Sequence, residues 1–498
     1  MQEVQQGLFS LCLAVQGCII PSKVRNPYPA APLSISLIGE SFPIFAPLNF
    51  DWSTQMKAKL PKLHVLTLGC SKNTVDSEVL LAQARANNFV IAAHANQADV
   101  LIINTCGFIE EAKQESIDAI LDGLELKKSG KLKKLLVMGC LSERYRSELE
   151  QEIPDVDAYF GVLDFAGNTL SQILHELGGH LKTELLGERL LSTPSHFAYL
   201  KISEGCDNPC SFCAIPLMRG KYQSKPMPAL IDEATQLYQR GVKELILIAQ
   251  DLTYYGLDLY GERKLAELLQ RLSDIGFTWI RLLYAYPAKF PKDILPVIRE
   301  RENICKYLDI PIQHINDEVL KSMRRGITKR GLIALLNDIR DAVPGIRLRT
   351  TFIFGYPNET PEIFEEALEF IEQFKFDRLG CFAYSHEEHT AASALPDRVP
   401  SAEKQRRVQT AMALQEKISL AKNEALIGQT LPVLIDRIEH GAVYGRTSFD
   451  APEVDNEVII VSAKAGFPMH ELRVGDFYEV EITDAEPFDL FGTVLRKL

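Results

Sequence analysis

The chain has 498 residues, ten of them cysteine, and a formal net charge of −12. That length allows two or three domains, and the lack of any run of 18 or more apolar residues excludes a membrane-crossing helix. Cysteines gathered in odd-numbered groups rather than even pairs argue against disulfide staples and for ligands in a reducing compartment, the cytoplasm.

The first 55 residues carry few charges, many Pro and Ser and no clear period. Met1 to Gln16 is apolar in part but has no basic n-region, so a signal peptide fits poorly. Met56-Lys57-Ala58-Lys59-Leu60 is a more natural start. Residues 1–55 are therefore expected to be a disordered or mis-started extension.

From Lys62 the grammar is α/β. Three short apolar runs, His64 to Leu68, Val100 to Ile103 and Leu135 to Met138, read as buried parallel strands. Helical patterns follow over Asp76 to Asn88 and Phe108 to Lys128. Each run ends at a cysteine: Cys70, Cys106 and Cys140. Ligands of open α/β sheets gather beyond the carboxyl ends of the strands, so the three thiols could converge on one metal cluster with an open iron. The alternative is three inert core cysteines; the repeated strand–Gly/Thr–Cys pattern favours convergence. This domain is expected over 62–175. A linker follows at about Leu185 to Ser195, with Thr193-Pro194-Ser195 as its breaker.

The next domain, over 195–427, shows six strand candidates separated by helical patterns: Phe197–Ile202, Glu244–Ala249, Ile280–Leu283, Tyr307–Ile310, Ile346–Ile353 and Arg378–Ala383. That count predicts a partial (β/α)6 TIM-like barrel with its chemistry at the strand C-termini. The first strand delivers Glu204-Gly205-Cys206-Asp207-Asn208-Pro209-Cys210-Ser211-Phe212-Cys213. Three thiolates at this spacing can hold three irons of a cubane cluster and leave the fourth open. A structural zinc needs four ligands, and no fourth Cys or His lies near. An open iron is where S-adenosylmethionine can chelate and be split into a radical. The helical pattern Ser401 to Ile427 closes the domain, with Gly428 expected as its C-cap.

The last segment, 428–498, changes to short alternating runs: Leu431–Ile435, Val458–Val461, Phe477–Ile482 and Phe491–Leu495. They predict a small antiparallel β-barrel. From Leu431 onward it holds 13 Asp/Glu against 6 Lys/Arg. A module gripping RNA should be basic, so this one suits a basic protein partner, or is an ordinary solvated acidic face. Cys12, Cys18, Cys305 and Cys381 have no motif around them and read as structural.

The Cys206–Cys213 run resembles the signature of the radical S-adenosylmethionine superfamily. From Lys62 to Leu498 the chain resembles the methylthiotransferases within it, whose small C-terminal barrel is a TRAM domain. The resemblance rests on Leu68-Gly69-Cys70-Ser71-Lys72-Asn73-Thr74-Val75-Asp76-Ser77-Glu78 (with Ser71 where Pro is more usual), on Asn104 to Ile109 and on Met138 to Tyr145. It extends over Ile215 to Gly220, Ile248 to Gly256 and Gly445 to Asp455. These motifs are closer to the branch that modifies an aspartate of ribosomal protein uS12 than to the branch that modifies isopentenylated adenosine in tRNA. The resemblance implies that Cys206, Cys210 and Cys213 hold a 4Fe-4S cluster that binds and cleaves S-adenosylmethionine. It implies a second 4Fe-4S cluster on Cys70, Cys106 and Cys140, carrying the sulfur to be transferred. It further implies two S-adenosylmethionine per turnover, an electron donor such as flavodoxin or ferredoxin, and a sulfur donor. The product would be 3-methylthioaspartate.

Phe212 is expected against adenine or as simple core filling. Gln250 and Asp251 are expected near the amino and carboxylate groups of S-adenosylmethionine. Gln313, His314 and Thr351 fall at later strand ends, where a lone His is more often structural than catalytic. Arg324 and Arg325 read as a solvated helix end. A tRNA methylthiotransferase would share every cysteine, and a non-catalytic iron–sulfur scaffold would cleave no S-adenosylmethionine.

Overall fold

The computed structural model describes residues 60–498, apart from 186, 465 and 466; the 1–55 extension, with Cys12 and Cys18, lies outside the described residues. The first sheet has five parallel strands, β1 (Lys62–Thr67), β2 (Val90–Ile91), β3 (Val100–Thr105), β4 (Lys134–Gly139) and β5 (Ala158–Tyr159), in the order β2-β1-β3-β4-β5. Apolar residues fill both faces. Leu63, Val100, Ile102, Leu136 and Met138 lie on one, and Leu101, Ile103, Leu135 and Val137 on the other. Two-sided burial is why these strands read as continuous apolar runs rather than alternating ones. The first helix spans Ser71–Ala86 and starts five residues before the expected Asp76, with Cys70 at its N-cap. Ser71-Lys72-Asn73 looks like a polar loop, but Lys72 and Asn73 are buried.

Six parallel strands make the second sheet: β6 (Phe197–Lys201), β7 (Glu244–Ile248), β8 (Trp279–Leu282), β9 (Ile304–Asp309), β10 (Arg347–Phe354) and β11 (Arg378–Ala383), lying in chain order. It is the expected open (β/α)6 arc. Alternate residues such as Leu200, Leu247, Leu282 and Leu348 pack under the surrounding helices. Those between them, Tyr199, Ile246, Trp279 and Tyr307, pack with Leu434, Ala451 and Phe477 of the last domain. The closing helix, Ser401–Glu424, stops with Ala425 at its cap, and Gly428 (φ +82) instead turns the chain into the third sheet.

That third sheet is a closed barrel of β12 (Thr430–Glu439), β13 (Ala442–Thr447), β14 (Glu457–Ala463), β15 (Phe477–Ala485) and β16 (Asp489–Lys497). It has one strand more than the sequence predicts, and β14 pairs β16 in parallel while the other pairs are antiparallel. The missed strand follows a two-residue turn, His440 (φ +51) and Gly441 (φ +85). Left-handed geometry at both positions matches the twist of a tight hairpin.

Buried ion pairs dock this barrel to the arc. Arg446 reaches Asp436 at 2.6 Å and Glu244 at 2.8 Å, Arg281 pairs with Glu244 at 2.7 Å, and Arg349 lies between Asp309 (3.1 Å) and Asp455 (3.3 Å). Arg378 donates to Asp450 at 2.9 Å. Asp436 and Asp450 are buried, and the side chain of Asp455 is out of solvent. Part of the acidic excess of this domain is therefore spent on docking it, and the remainder faces outward.

Candidate active site

The strand-end cysteines of the first sheet are brought together by backbone geometry. Gly69 (φ +86) and Gly139 (φ +103) sit in the left-handed region open to glycine. A Cβ on Gly69 would stand 2.7 Å from the Cβ of Cys106, and one on Gly139 would stand 2.5 Å from Asn104 Oδ1. Polar side chains lock the three loops. Asn73 Nδ2 donates to the carbonyls of Leu68 (2.7 Å) and Thr105 (3.0 Å), Asn104 Nδ2 to the carbonyl of Asn73 (3.0 Å), and Thr105 Oγ1 to that of Met138 (2.7 Å). Ser116 Oγ accepts from the amide of Cys106 at 3.0 Å.

The thiols have unequal surroundings. Cys106 and Cys140 are buried, and burial pushes Cys106 up to about 12 and Cys140 above its ordinary value. Cys70 is reachable by solvent yet closely surrounded by protein. Desolvation pushes its thiol up, but the charges of Lys72 and Arg219 and the amides of Asn73 and Lys72 outweigh this and hold it below the ordinary value. Lys72 is itself seated on Tyr284, its Nζ 3.2 Å from the ring centre.

The second triad lies in the loop after β6. Asp207 accepts from the amide of Tyr222 (3.1 Å), and Asn208 Nδ2 donates to Asp251 Oδ2 (2.8 Å) while lying 3.5 Å from Cys206 Sγ. Ser211 bonds to Ser322, Met323, Tyr356 and Ala392, so the loop is tied to the far side of the arc. Burial raises Cys206 to about 11 and Cys213 to about 12.

A buried network joins the triads. Arg219 Nη2 donates to Asn73 Oδ1 at 2.6 Å, and its Nη1 to Glu204 at 2.8 Å. Asp76 lies 3.3 Å from Arg219 and pairs with Lys201, which also reaches Glu204 at 2.7 Å. Glu204 accepts from Gln250 Nε2 at 2.9 Å. Burial opposes its charge, but Arg219 and Lys201 hold it down to about 2. Cys140 packs on Ala214 and Met218, in the turn and helix directly after Cys213. On the opposite rim Arg144 pairs with Glu387 at 2.7 Å, both side chains nearly out of solvent. The first domain thus grips the arc at β6 and again beyond β11, and it lies across the strand C-termini.

The six motif cysteines therefore form two groups that face each other. Each group offers three thiols, the donor set a cubane iron–sulfur cluster takes, and among the described residues no three His, Cys, Asp or Glu side chains are placed to hold a single metal ion. Ser71 Oγ, Ser142 Oγ, Gln250 Oε1 and Gln313 Oε1, beside these loops and at strand ends, are buried without a partner. Tyr284 (φ +71) and Gln313 (φ +74) hold left-handed backbone at the ends of β8 and β9, the kind of strain that gathers at functional sites.

The other predicted residues divide. Gln250 keeps a free carbonyl at the mouth. Asp251 spends Oδ1 on Thr253 and Oδ2 on Asn208, so its role here is to order the cysteine loop. Phe212 packs with Val319, Met323, Tyr356, Tyr384 and Ala392. His314 is fully buried 3.7 Å from Glu359, which fits the structural reading. Arg325 overturns expectation: it is no solvated helix end but is buried, with Nη1 3.1 Å from Cys210 Sγ. Nothing local in Arg324-Arg325-Gly326 signals this, because Cys210 is 115 positions away. The roles of Lys201 and Arg219 were equally hidden, their partners being 125 and 146 positions distant.

Residues 62–161 match the uncharacterized protein family UPF0004, residues 200–371 the radical SAM superfamily, and residues 427–495 the TRAM domain. The chain is 62% identical over 440 residues to the ribosomal protein uS12 methylthiotransferase RimO of Chloroherpeton thalassium, covering 88% of this chain and 100% of that protein. It is 54% identical over 448 residues to the protein of the same name from Cytophaga hutchinsonii, covering 89% and 100%. Against that of Chlorobaculum tepidum the figure is 52% over 441 residues, covering 89% and 99%.

Proposed function

The chain belongs to the family of ribosomal protein uS12 methylthiotransferases, RimO, and on that premise we infer that it replaces a β-carbon hydrogen of a uS12 aspartate with a methylthio group, giving 3-methylthioaspartate. It is a radical S-adenosylmethionine enzyme, with two 4Fe-4S clusters and S-adenosylmethionine as its cofactors. When bound, these groups supply the sulfur, the methyl group and the removal of a C–H hydrogen too weakly acidic for any side-chain base.

In this reading Cys206, Cys210 and Cys213 hold the cluster that takes S-adenosylmethionine, and Cys70, Cys106 and Cys140 hold the cluster that delivers sulfur. The observation that carries it is the facing of the two triads, with Cys140 against the helix after Cys213 and Arg219 bonded to Asn73 beside Cys70. Lys201, Glu204 and Arg219 fix the separation of the two loops. Arg144 and Glu387 hold the first domain over the mouth. Gln250, through its free carbonyl, and Phe212 and Asp251, through the loop they support, would shape the S-adenosylmethionine site. Electrons would come from a flavodoxin or ferredoxin and sulfur from a separate donor. The outward acidic residues of the last barrel would meet basic uS12 in the cytoplasm rather than a tRNA.

The test is intact mass. Anaerobically reconstituted, reduced protein is given S-adenosylmethionine with a uS12 fragment, beside an anticodon stem-loop RNA carrying isopentenyladenosine. A gain of one methylthio group in place of one hydrogen on the peptide is expected. The same gain on the RNA alone would sink this reading.

A further inference from the structure

Among the described residues, six arginines are buried as whole residues: Arg189, Arg219, Arg281, Arg325, Arg407 and Arg446. Five of them have a carboxylate within 3.7 Å. Arg325 has none among the described residues. Its Nη2 donates to the carbonyl of Pro311 at 2.6 Å, its Nε is unpartnered, and its plane lies over the Tyr286 ring at 4.4 Å. Tyr286 holds the arrangement from below, donating its hydroxyl to the carbonyl of Arg325 at 3.0 Å, 3.6 Å from Cys210 Sγ. Left-handed turns at Arg324 (φ +56) and Gly326 (φ +68) bring the side chain inward. A buried cation without a counter-charge is costly; the Tyr286 hydroxyl is engaged as a donor to a carbonyl, and the ionisable atom hydrogen-bonded to the guanidinium is Cys210 Sγ, 3.1 Å from Nη1.

We propose that Arg325 is the counter-charge of the cluster on Cys206, Cys210 and Cys213 and raises its reduction potential. The proposal rests on the assignment of that cluster to these cysteines. Reduction adds one electron to the cluster and no compensating proton. A fixed cation hydrogen-bonded to a ligating sulfur stabilises the more negative state, and hydrogen bonds to sulfur are among the levers that set such potentials. Reduction is the step that must precede cleavage of S-adenosylmethionine, so Arg325 acts through the cluster, as a positioning residue. Arg219 also acts on the other triad, but it shares its charge with Asp76 and Glu204, whereas Arg325 has no carboxylate to share with among the described residues.

The test is an anaerobic redox titration of the full, reconstituted protein with dithionite, read by electron paramagnetic resonance. The barrel cluster is identified as the signal that S-adenosylmethionine perturbs. Arg325→Gln is expected to cut the reduced-to-oxidised ratio at fixed applied potential about tenfold, which is 59 mV for one electron. Arg325→Lys, which keeps the charge, should stay within about twofold of the native ratio, and Arg324→Gln, an exposed neighbour, should leave it unchanged. An unmoved midpoint in an iron-replete Arg325→Gln protein overturns the proposal. Should Arg325→Gln fail to load iron, Arg325→Lys decides: a tenfold fall despite the retained charge overturns it equally, and a near-native midpoint supports it. Native protein with no signal responsive to S-adenosylmethionine would instead refute the cluster assignment beneath it.

Discussion

Cys70, Cys106 and Cys140 come from three strand ends spread over 71 residues of chain, whereas Cys206, Cys210 and Cys213 lie within eight consecutive residues. The first group is positioned by backbone: strand register, two left-handed glycines and side-chain amides bonded to carbonyls. The second is positioned by side chains reaching in from elsewhere, among them Asn208 and Asp251, Ser211 and Tyr356, and Arg325. Register is stiff and loop geometry is adaptable. The triad built on strands therefore suits a cluster whose open iron must hold one orientation, and the loop triad suits a cluster that must admit S-adenosylmethionine.

The largest test of that contrast removes one cysteine from each side. Cys210→Ala should lose roughly half of the bound iron and all cleavage of S-adenosylmethionine to 5′-deoxyadenosine. Cys106→Ala should lose a similar share of iron yet keep cleavage, while transferring no methylthio group to uS12. Equal loss of cleavage in both variants would end the division of labour. Next in size is Arg219→Met, which cuts the bond between the two sides. It strands Asp76 and Glu204 as buried carboxylates with only Lys201 to share, a loss of about 3–5 kcal/mol in chemical denaturation. Both cluster signals should weaken together. If only one does, the network serves one triad and the two are not mechanically joined.

What could be read from the chain follows the same division. Strand-end cysteines announce themselves through apolar runs followed by Gly or Thr, and the loop triad through its spacing. The six arc strands stand out because each is a compact apolar run under helices. The two-residue strands β2 and β5 carry too little pattern to be found. Strand β13 was hidden because Tyr444, Gly445 and Arg446 mark docking rather than alternation: Arg446 turns inward to Asp436 and Glu244. Charged residues were the main blind spot. A buried Lys201 or Arg325 is indistinguishable in sequence from a solvated one until the fold supplies a partner more than a hundred positions away. The acidic count of the last domain likewise mixes docking carboxylates with surface ones, a distinction that only burial makes.

The smallest expected effects compare two asparagines that follow the first cysteine of each triad. Asn73 sits wholly buried, donates to two carbonyls and accepts from Arg219. Truncating it takes a hydrogen bond from the Leu68 and Thr105 carbonyls and from Arg219, so Asn73→Ala should cost about 2–4 kcal/mol and speed loss of iron from the strand-end triad to a chelator. Asn208 makes one firm bond, to Asp251, and a long contact to Cys206. Asp251 Oδ1 keeps both its Thr253 donors without it, so Asn208→Ala should cost about 1 kcal/mol, with faster chelation confined to the loop triad. Chelation followed separately by the two cluster signals distinguishes these outcomes. A backbone-built site should fail abruptly when a central buried brace is cut, and a loop held at many points should loosen by degrees. If Asn208→Ala destabilised the protein as much as Asn73→Ala, the loop would be as rigidly determined as the strand ends, and adaptability could not explain its role in admitting S-adenosylmethionine.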